Sequence, residues 1–537
     1  MDTPPEPLVI WPAPGLPAFL GPDEKHVEMI VAHRRERIDD LKAWARSLAL
    51  RRVADTERVP LRIVDAVPAA IGELDRRVSG FAALPQARSM SFARLRLHFL
   101  NALAPLPPAS VALYDLVHPA GVARSRAVAV WRERSDRLRL AFVSDLHMAA
   151  FWQVMAEAVD RHAPDLAPRF LNSRRLLERF VSEANRLWAR GELDVIVLGG
   201  DLVESVYAQP RTKTSAGGGE TNVRLVVEAL AGLRVPTVAL AGNHDYRAYP
   251  WRPRSYGLQA VGIPRSRGRA LLKAADLWDP WPLHPADGQA LRTHDDAGSP
   301  TLSHHLTRLA PATDFALALR GLRLVFASTG CDLVAGWRRI ERARRGLFLR
   351  ALRTTWANPD SEGLYDDQVR RLASALPDPN GTAVFFHAPL MHVVDGADLG
   401  AVAGGLDEHG EDDLAARVAF ERRLWRAGLR SGVLFRNPGP VLRNLVSSQS
   451  PTVVFSGHAH HATAIELDRR TGAARSMAVT APSRPRETVA LFTAPGLGQT
   501  WSAGPSPSGY LLARFEGGVL SALEQRDLVR DMSIPTA

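Results

Sequence analysis

Side chains of the kinds that bind divalent metal ions recur along this chain, each directly after a short apolar run. Eight of them fall into five blocks: Asp145 and His147 after LRLAFVS, Asp201 after LDVIVLGG, Asn243 and His244 after TVALAG, His387 after AVFF, and His458 and His460 after PTVVFSG. Imidazole, carboxylate and amide ligands together suit Mn, Fe, Zn, Ni or Co and exclude none of these metals. Residues two apart in an extended segment point to the same side, so each Asp-X-His or His-X-His pair can grip one ion. Five blocks in this arrangement predict a metal site.

The apolar runs in front of these blocks must place the ligands. They are short and apolar, and most contain β-branched residues, which predicts buried strands. Predicted helices over 173–190 and 222–233 alternate with them, and this alternation is typical of an α/β sheet with helices on its faces. Because ligands gather at the carboxyl ends of strands in such sheets, we expect the five blocks to converge on one rim.

The turn Gly-Asn-His-Asp at 242–245 combines several useful groups in one place. Gly242 permits close approach of another group, since it has no side chain. Asn243 offers a neutral oxygen ligand, and His244 offers either a ligand nitrogen or a proton donor. The turn alone does not decide between these uses.

The remaining chain predicts further regions around this core. The segment 23–52 has apolar residues at helical spacing, and residues 1–109 are expected to form a mostly helical extension. Residues 110–136 read as a short β segment leading into a core over 137–537, in which a Pro-, Gly- and Arg-rich insertion spans about 247–312. Short alternating segments at the end of the chain predict a second sheet.

Composition narrows the class of protein. The 537 residues carry a net charge of +10, which suits an anionic substrate or a nucleic acid, although arginines spread along the chain also fit a solvated surface. With Cys331 as the only cysteine, no intrachain disulfide and no thiolate metal cage is possible. The N-terminus lacks a signal-peptide pattern, and no stretch approaches the roughly 20 apolar residues of a membrane span. We therefore expect a cytoplasmic protein with no membrane contact.

In their order, the motifs DLH, GGD, GNHD, H and GHAH resemble the calcineurin-like metallophosphoesterase superfamily, over roughly residues 137–467. The resemblance implies a four-layer αββα sandwich, to which the closing strands would contribute the second sheet. Met148 follows His147, and the second block reads GGDLVES. The Ser/Thr protein phosphatases carry glycine and Asp-Arg-Gly at these places, so that branch is disfavoured. The simple DLH and GNHD forms look closer to the cyclic-nucleotide-phosphodiesterase-like and exonuclease-like branches.

The resemblance also implies a role for each ligand-type residue. It assigns Asp145, His147 and His460 to a first metal ion, Asn243, His387 and His458 to a second, Asp201 to both ions, and His244 to proton donation. Two such ions would polarise a phosphoryl group and lower the pKa of a bridging water, giving hydroxide at neutral pH. His244 would then protonate the leaving oxygen as general acid. The implied activity is hydrolysis of a phosphate ester, a phosphodiester or a nucleotide.

Two other functions and several other residues stay open on the sequence alone. A nuclease is an alternative, because the charge and an Arg-rich helix over 337–356 suit nucleic acid. A partner-binding role for the N-terminal helices is the other. Asp245 is a candidate to orient His244. The histidines of the insertion, His304 and His305, are expected to be solvated, and Cys331 to be a small packed thiol.

Overall fold

The computed structural model describes residues 7–33, 38–53, 55–74, 76–99, 108–169, 172–204, 221–246, 265–274, 300–329, 363–364, 366–391, 438–498 and 508–528. Their strands are β1 (Leu8–Trp11), β2 (Ala18–Leu20), β3 (His26–His33), β4 (Ala49–Arg52), β5 (Arg58–Ala69), β6 (Ser91–Phe99), β7 (Val111–His118), β8 (Gly121–Trp131), β9 (Arg137–Val143), β10 (Val195–Leu198), β11 (Thr237–Ala239), β12 (Asp314–Leu319), β13 (Leu322–Ala327), β14 (Thr382–Phe385), β15 (Thr452–Ser456), β16 (Thr463–Asp468), β17 (Ala474–Ser476), β18 (Thr488–Thr493), β19 (Gly509–Glu516) and β20 (Val519–Asp527).

The helices of the described residues are α1 (Ile38–Ala45), α2 (Ser79–Ala82), α3 (Phe151–His162), α4 (Ser173–Ala189), α5 (Asn222–Leu230), α6 (Arg265–Ala274), α7 (Pro300–Arg308), α8 (Asp366–Ala375) and α9 (Pro438–Ser447). Short 3-10 turns lie at Ile71–Glu73, Arg76–Val78, Pro85–Ser89, Pro164–Arg169 and Asn243–Tyr246. Not one of the helices described here is both long enough and apolar enough to cross a membrane.

The N-terminal region is an eight-stranded sheet in the order β1-β3-β6-β5-β4-β7-β8-β2. The prediction of a mostly helical extension is therefore wrong, and of the helix predicted over 23–52 the described residues keep only α1, between β3 and β4. Within HVEMIVAH, Glu28 is exposed between the buried Val27 and Met29, as alternate residues of a strand are, and both faces are buried from Ile30 to Ala32. The apolar residues of this segment fit both a helical and a strand period, and it forms a strand because it pairs with β1 and β6. The two strands predicted after residue 110 are confirmed as β7 and β8, but they belong to this same sheet.

Two further sheets form the core. One has the order β11-β10-β9-β19-β20, and the other has the order β12-β13-β14-β15-β18-β16-β17. They pack face to face through aromatic rings, since Phe142 on β9 lies 5.9 Å from Phe385 on β14 and 5.6 Å from Phe455 on β15, between ring centroids. These contacts make the inner two layers of the molecule.

Helices cover both outer faces. On the first core sheet, Phe180 of α4 contacts Tyr510 of β19, with ring centroids 5.1 Å apart. On the second, Leu372 of α8 and Val441 of α9 share one apolar cluster with Val384 of β14. The predicted α/β, four-layer αββα sandwich is confirmed.

The prediction that the closing strands all build the second sheet is only partly correct. β16, β17 and β18 join it, whereas β19 and β20 extend the first core sheet, where β19 pairs antiparallel with β9. The two-residue period reports that a segment is a strand, but not which neighbour it will pair with. The five ligand blocks come from both core sheets and not from one rim of a single sheet, three from β9, β10 and β11 and two from β14 and β15.

The described part of the insertion consists of α6 and α7, and α7 packs against the turn at Asn243–Tyr246. His305 on α7 is buried, contrary to the expected solvated histidine, and burial lowers its pKa to about 4. Its helix places it on the inward face, which the insertion sequence alone did not indicate. The predicted Arg-rich helix over 337–356 and Cys331 lie outside the described residues.

Candidate metal centre

The first three ligand blocks meet through their backbones. After β9, the Asp145 amide donates to the Gly200 carbonyl at 3.0 Å, and the His147 amide donates to the Asp201 carbonyl at 2.9 Å. Gly242 closes the space between the blocks, because a Cβ there would lie 2.5 Å from Asp201 Oδ1 and 2.7 Å from His387 Cδ2. Only a residue without a side chain allows this approach.

One group of ligands lies at the ends of β9 and β15. His460 Nε2 is 3.1 Å from Asp145 Oδ1 and 3.1 Å from His147 Nε2. His147 Nε2 lies 3.8 Å from the same carboxylate oxygen. These three residues are the predicted ligands of the first ion, and their ligand atoms lie within 4.8 Å of one another.

A second group lies beside the first. His387 Nε2 is 3.1 Å from Asp201 Oδ2, and His458 completes a set whose ligand atoms also lie within 4.8 Å of one another. Asn243 is buried in the adjoining turn, next to the Gly242 that touches Asp201 and His387. The structure thus brings Asp201, His387 and His458 of the predicted second set to one place, with Asn243 in the adjoining turn.

Asp201 joins the two groups. The same oxygen, Oδ2, that faces His387 lies 3.7 Å from His147 Nε2 in the first group. Its other oxygen accepts a hydrogen bond from the His244 amide at 2.7 Å. A buried carboxylate between two cation sites would offset the repulsion of the two charges.

Backbone strain concentrates at this site. Five of the ligand residues have a left-handed backbone, with φ of 58° at Asp145, 45° at His147, 51° at Asp201, 64° at His458 and 57° at His460. Each such residue costs on the order of 1–3 kcal/mol and persists only where its surroundings enforce it. Clustering of this strain at a handful of side chains is typical of a functional site.

The electrostatics suit cations. Burial opposes ionisation of Asp145, but the charge of His460 and hydrogen bonds from His147 and His460 hold its pKa well below the usual range. Burial also opposes ionisation of Asp201, but the charges of His387 and His244 hold its pKa far below normal. Both carboxylates are therefore anionic at neutral pH, and the mixed carboxylate, imidazole and amide set fits two divalent ions.

Glu204 is a residue of the site that the sequence did not reveal. Its Oε2 lies 2.9 Å from His147 Nδ1 and 3.5 Å from His244 Nδ1. Burial lowers the pKa of His147, but hydrogen bonds with the Asp145 and Glu204 carboxylates outweigh it and raise the pKa to about 10. The GGDLVES segment shows a glutamate three residues after Asp201, but no rule of sequence marks it as a partner of histidine.

His244 lies at the side of the two groups. Its Nδ1 is 2.9 Å from the carbonyl oxygen of Glu204, and its Nε2 is 3.9 Å from Asp201 Oδ2. With His147 and Asp201 it forms a third set of ligand-type atoms within 4.8 Å of one another. Geometry alone therefore fits both a proton donor and a further ligand at this position.

Asp245 does not orient His244, contrary to the sequence hypothesis. Its buried carboxylate accepts hydrogen bonds from the amides of Gly242 at 2.8 Å, Leu202 at 3.1 Å and Val203 at 3.3 Å. Burial and the neighbouring Asp201 charge raise the pKa of Asp245 to about 7. Asp245 thus ties the Asp201 loop to the Asn243 turn.

Comparison with known proteins identifies a phosphoesterase family over part of the chain. Residues 138–320 match a family model described as calcineurin-like phosphoesterase, a span that includes Asp145, His147, Asp201, Asn243 and His244. A search among curated proteins found no match.

Solved structures also resemble the chain. A dimetal phosphatase from Danio rerio is 14% identical, covers 73% of this chain and 97% of its own, and gives a TM-score of 0.36. A structure of PhoD is 10% identical, covers 96% of this chain and 90% of its own, and gives a TM-score of 0.35. A metallophosphoesterase from Sphaerobacter thermophilus is 13% identical, covers 74% of this chain and 96% of its own, and gives a TM-score of 0.23.

Proposed function

We propose that this chain, whose residues 138–320 match the calcineurin-like phosphoesterase model, is a hydrolase of phosphoric esters that cleaves a phosphate ester or phosphodiester with two metal ions and His244. The observation that carries the proposal is Asp201, whose Oδ2 faces His387 of one ligand group and His147 of the other. Such sharing is what a pair of ions roughly 3.5–4 Å apart requires.

The division of ligands follows the two groups. Asp145, His147 and His460 would hold one ion, Asn243, His387 and His458 the other, and Asp201 both. When bound, such ions polarise a phosphoryl group and lower the pKa of a water molecule. The protein contributes a fixed arrangement, because the strained backbone and the interlocked loops hold the ligand atoms in place before any ion binds.

His244 would serve the leaving group. The Glu204 carbonyl accepts from its Nδ1, so Nε2 is the nitrogen that faces the site. Its side chain is 14% exposed, which leaves it open to a substrate, whereas Asp145, Asp201 and His387 are buried. A positioned proton donor of this kind contributes typically 10²–10⁴-fold to the rate.

A His244→Asn variant separates the two uses of this side chain. We expect about 100-fold slower hydrolysis of an alkyl phosphoester and a smaller loss for a para-nitrophenyl ester, whose leaving group needs no proton. Both metals should remain bound, as measured by elemental analysis of the dialysed protein. Loss of one metal would show instead that His244 is a ligand.

The proposed function itself is tested by stripping and restoring metal. The full chain is treated with a chelator and then given Mn²⁺, Zn²⁺, Ni²⁺ or Co²⁺ singly, and each sample is assayed with aryl monoesters, aryl diesters, cyclic nucleotides and short DNA and RNA. We expect hydrolysis of at least one phosphoester only after metal is restored. Hydrolysis that survives chelation, or no hydrolysis with any metal, would refute the proposal. Cleavage of nucleic acid alone, with salt-steep binding, would identify the nuclease alternative.

A further inference from the structure

We propose that Ser328 and Thr329, which directly follow β13, are positioning residues that hold Asn243 and His387 at the spacing of one metal site. The inference deepens the function proposed above and rests on it. β13 lies next to β14 in the second core sheet, and both residues after it are fully buried. Each of their hydroxyls forms a hydrogen bond with a peptide unit close to a proposed ligand.

Ser328 holds the backbone that leads into Asn243. Its hydroxyl donates to the Ala241 carbonyl at 2.9 Å. The amide of Gly242 belongs to the same peptide unit, and it donates to the Asp245 carboxylate at 2.8 Å. A peptide unit is planar, so hydrogen bonds on its two sides fix its orientation. Asn243 is the next residue along the chain, and its position therefore depends on this peptide unit.

Thr329 holds the backbone next to His387 in the same way. Its Oγ1 accepts from the Ala388 amide at 3.2 Å, and the His387 carbonyl of that peptide unit accepts from the Gly457 amide at 2.8 Å. The imidazole is fixed as well, because its Nδ1 lies 2.8 Å from the Gly199 carbonyl oxygen. A carbonyl can only accept, so the proton is on Nδ1 and Nε2 keeps a lone pair for a metal ion.

The end of β13 is itself firmly held. The Ser328 amide donates to the Thr313 carbonyl at 3.0 Å, and the Ser328 carbonyl accepts from Nε2 of the buried Gln368 on α8 at 3.1 Å. One hydroxyl reaches the turn after β11 in the first core sheet, and the other reaches the loop after β14 in the second. This segment therefore sets the gap between the two sheets at the place where the two proposed ligands meet.

The test removes each hydroxyl in turn, with Ser328→Ala and Thr329→Val, and keeps one with Thr329→Ser. Thr382→Val is the matched control, because buried Thr382 begins β14 at the opposite end of the sheet and its hydroxyl donates to the Leu376 carbonyl at 2.9 Å. Each full chain is freed of metal and titrated with Mn²⁺ alone by calorimetry. In Ser328→Ala and Thr329→Val we expect one Mn²⁺ equivalent to bind about 10–100-fold more weakly, as is typical when a supporting partner of a ligand is lost. The other equivalent should bind as in the parent chain, and Thr329→Ser and Thr382→Val should match the parent for both.

Two further backgrounds identify the equivalent that is weakened. His460→Ala leaves the second proposed ligand set intact, so adding Thr329→Val should weaken the Mn²⁺ that still binds. His387→Ala already breaks that set, so adding Thr329→Val should leave the remaining Mn²⁺ affinity unchanged.

Several results would overturn the inference. They are parent-like binding of both equivalents in Ser328→Ala and Thr329→Val, equal weakening of both equivalents, weakening in the His387→Ala background, and a Thr329→Ser variant that binds as weakly as Thr329→Val. If Thr329→Val fails to fold, Ser328→Ala decides, because it removes only the hydroxyl oxygen and tests the same equivalent. Failure of the parent chain to bind Mn²⁺ or any other divalent metal would instead refute the proposed function.

Discussion

Replacing Asp201 with asparagine is expected to remove at least one metal ion per chain and to slow phosphoester hydrolysis by about 10³-fold. The carboxylate Oδ2 faces His387 at 3.1 Å and His147 at 3.7 Å, so its negative charge serves both ligand groups. Metal ions stabilise charge in the transition state by several kcal/mol. Each 1.36 kcal/mol is a factor of ten in rate, which gives the expected loss. Metal content by elemental analysis and hydrolysis of an aryl phosphodiester are the measurements.

Asparagine is a sharper change than alanine at this position. It tolerates the left-handed backbone found here, φ of 51°, and its amide oxygen can still accept from the His244 amide. The fold and the turn should therefore survive while the charge is lost. Asp160→Asn makes the same chemical change on an exposed position of α3 and should leave metal content and rate unaltered. Full metal occupancy and activity in Asp201→Asn would contradict the shared-ligand role.

The positions of the site residues were predictable because their signal is local. Each block follows an apolar run, and the run needs only its own period to identify it as a buried strand ending at the polar residue. The carboxyl-end rule then brings together the blocks of each sheet, while the meeting of the two sets depends on how the two sheets pack. The structure does bring Asp145, Asp201 and His387 into one site, and their individual metal roles remain proposals.

What the sequence did not reveal depends on contacts distant in the chain. Glu204 matters because Met148 and Val203 lie on adjacent loops, a pairing that no local pattern encodes. The segment HVEMIVAH carries apolar residues at both helical and strand spacing, and only its partners β1 and β6 resolve it. In the same way β19 joins β9 rather than the neighbouring β18, and both choices satisfy its alternating period.

Deleting residues 1–109 is expected to leave the rest of the chain insoluble. The deletion removes β4 and β2, the sheet neighbours of β7 and β8, and opens an apolar cluster that is continuous with β9 and β10. It also removes Gly15, whose carbonyl accepts from the Ala239 amide at 2.8 Å and whose amide donates to the Leu309 carbonyl at 2.9 Å. Ala239 ends β11, just before the Asn243 turn, so the N-terminal sheet supports the strand that carries part of the site. Soluble yield and metal-dependent hydrolysis of fragment 110–537 measure the outcome.

A point substitution tests the same junction within the full chain. A Cβ at Gly15 would lie 2.9 Å from Ala239 Cβ and 3.2 Å from the Leu309 carbonyl oxygen, so Gly15→Ala forces β11 and the N-terminal sheet apart. Overpacking of this kind costs typically 1–3 kcal/mol, and a lower Tm should accompany it. Gly72→Ala is the matched control, because a Cβ there meets nothing within 4 Å.

A soluble and active 110–537 fragment, with Gly15→Ala as stable as the control, would show that the sheet is a separate module and would favour the partner-binding role over a structural one. We expect the reverse, because Arg126 of β8 also reaches across the junction and donates to the carbonyls of Leu230 at 2.6 Å and Val235 at 3.2 Å, at the end of the helix that leads into β11.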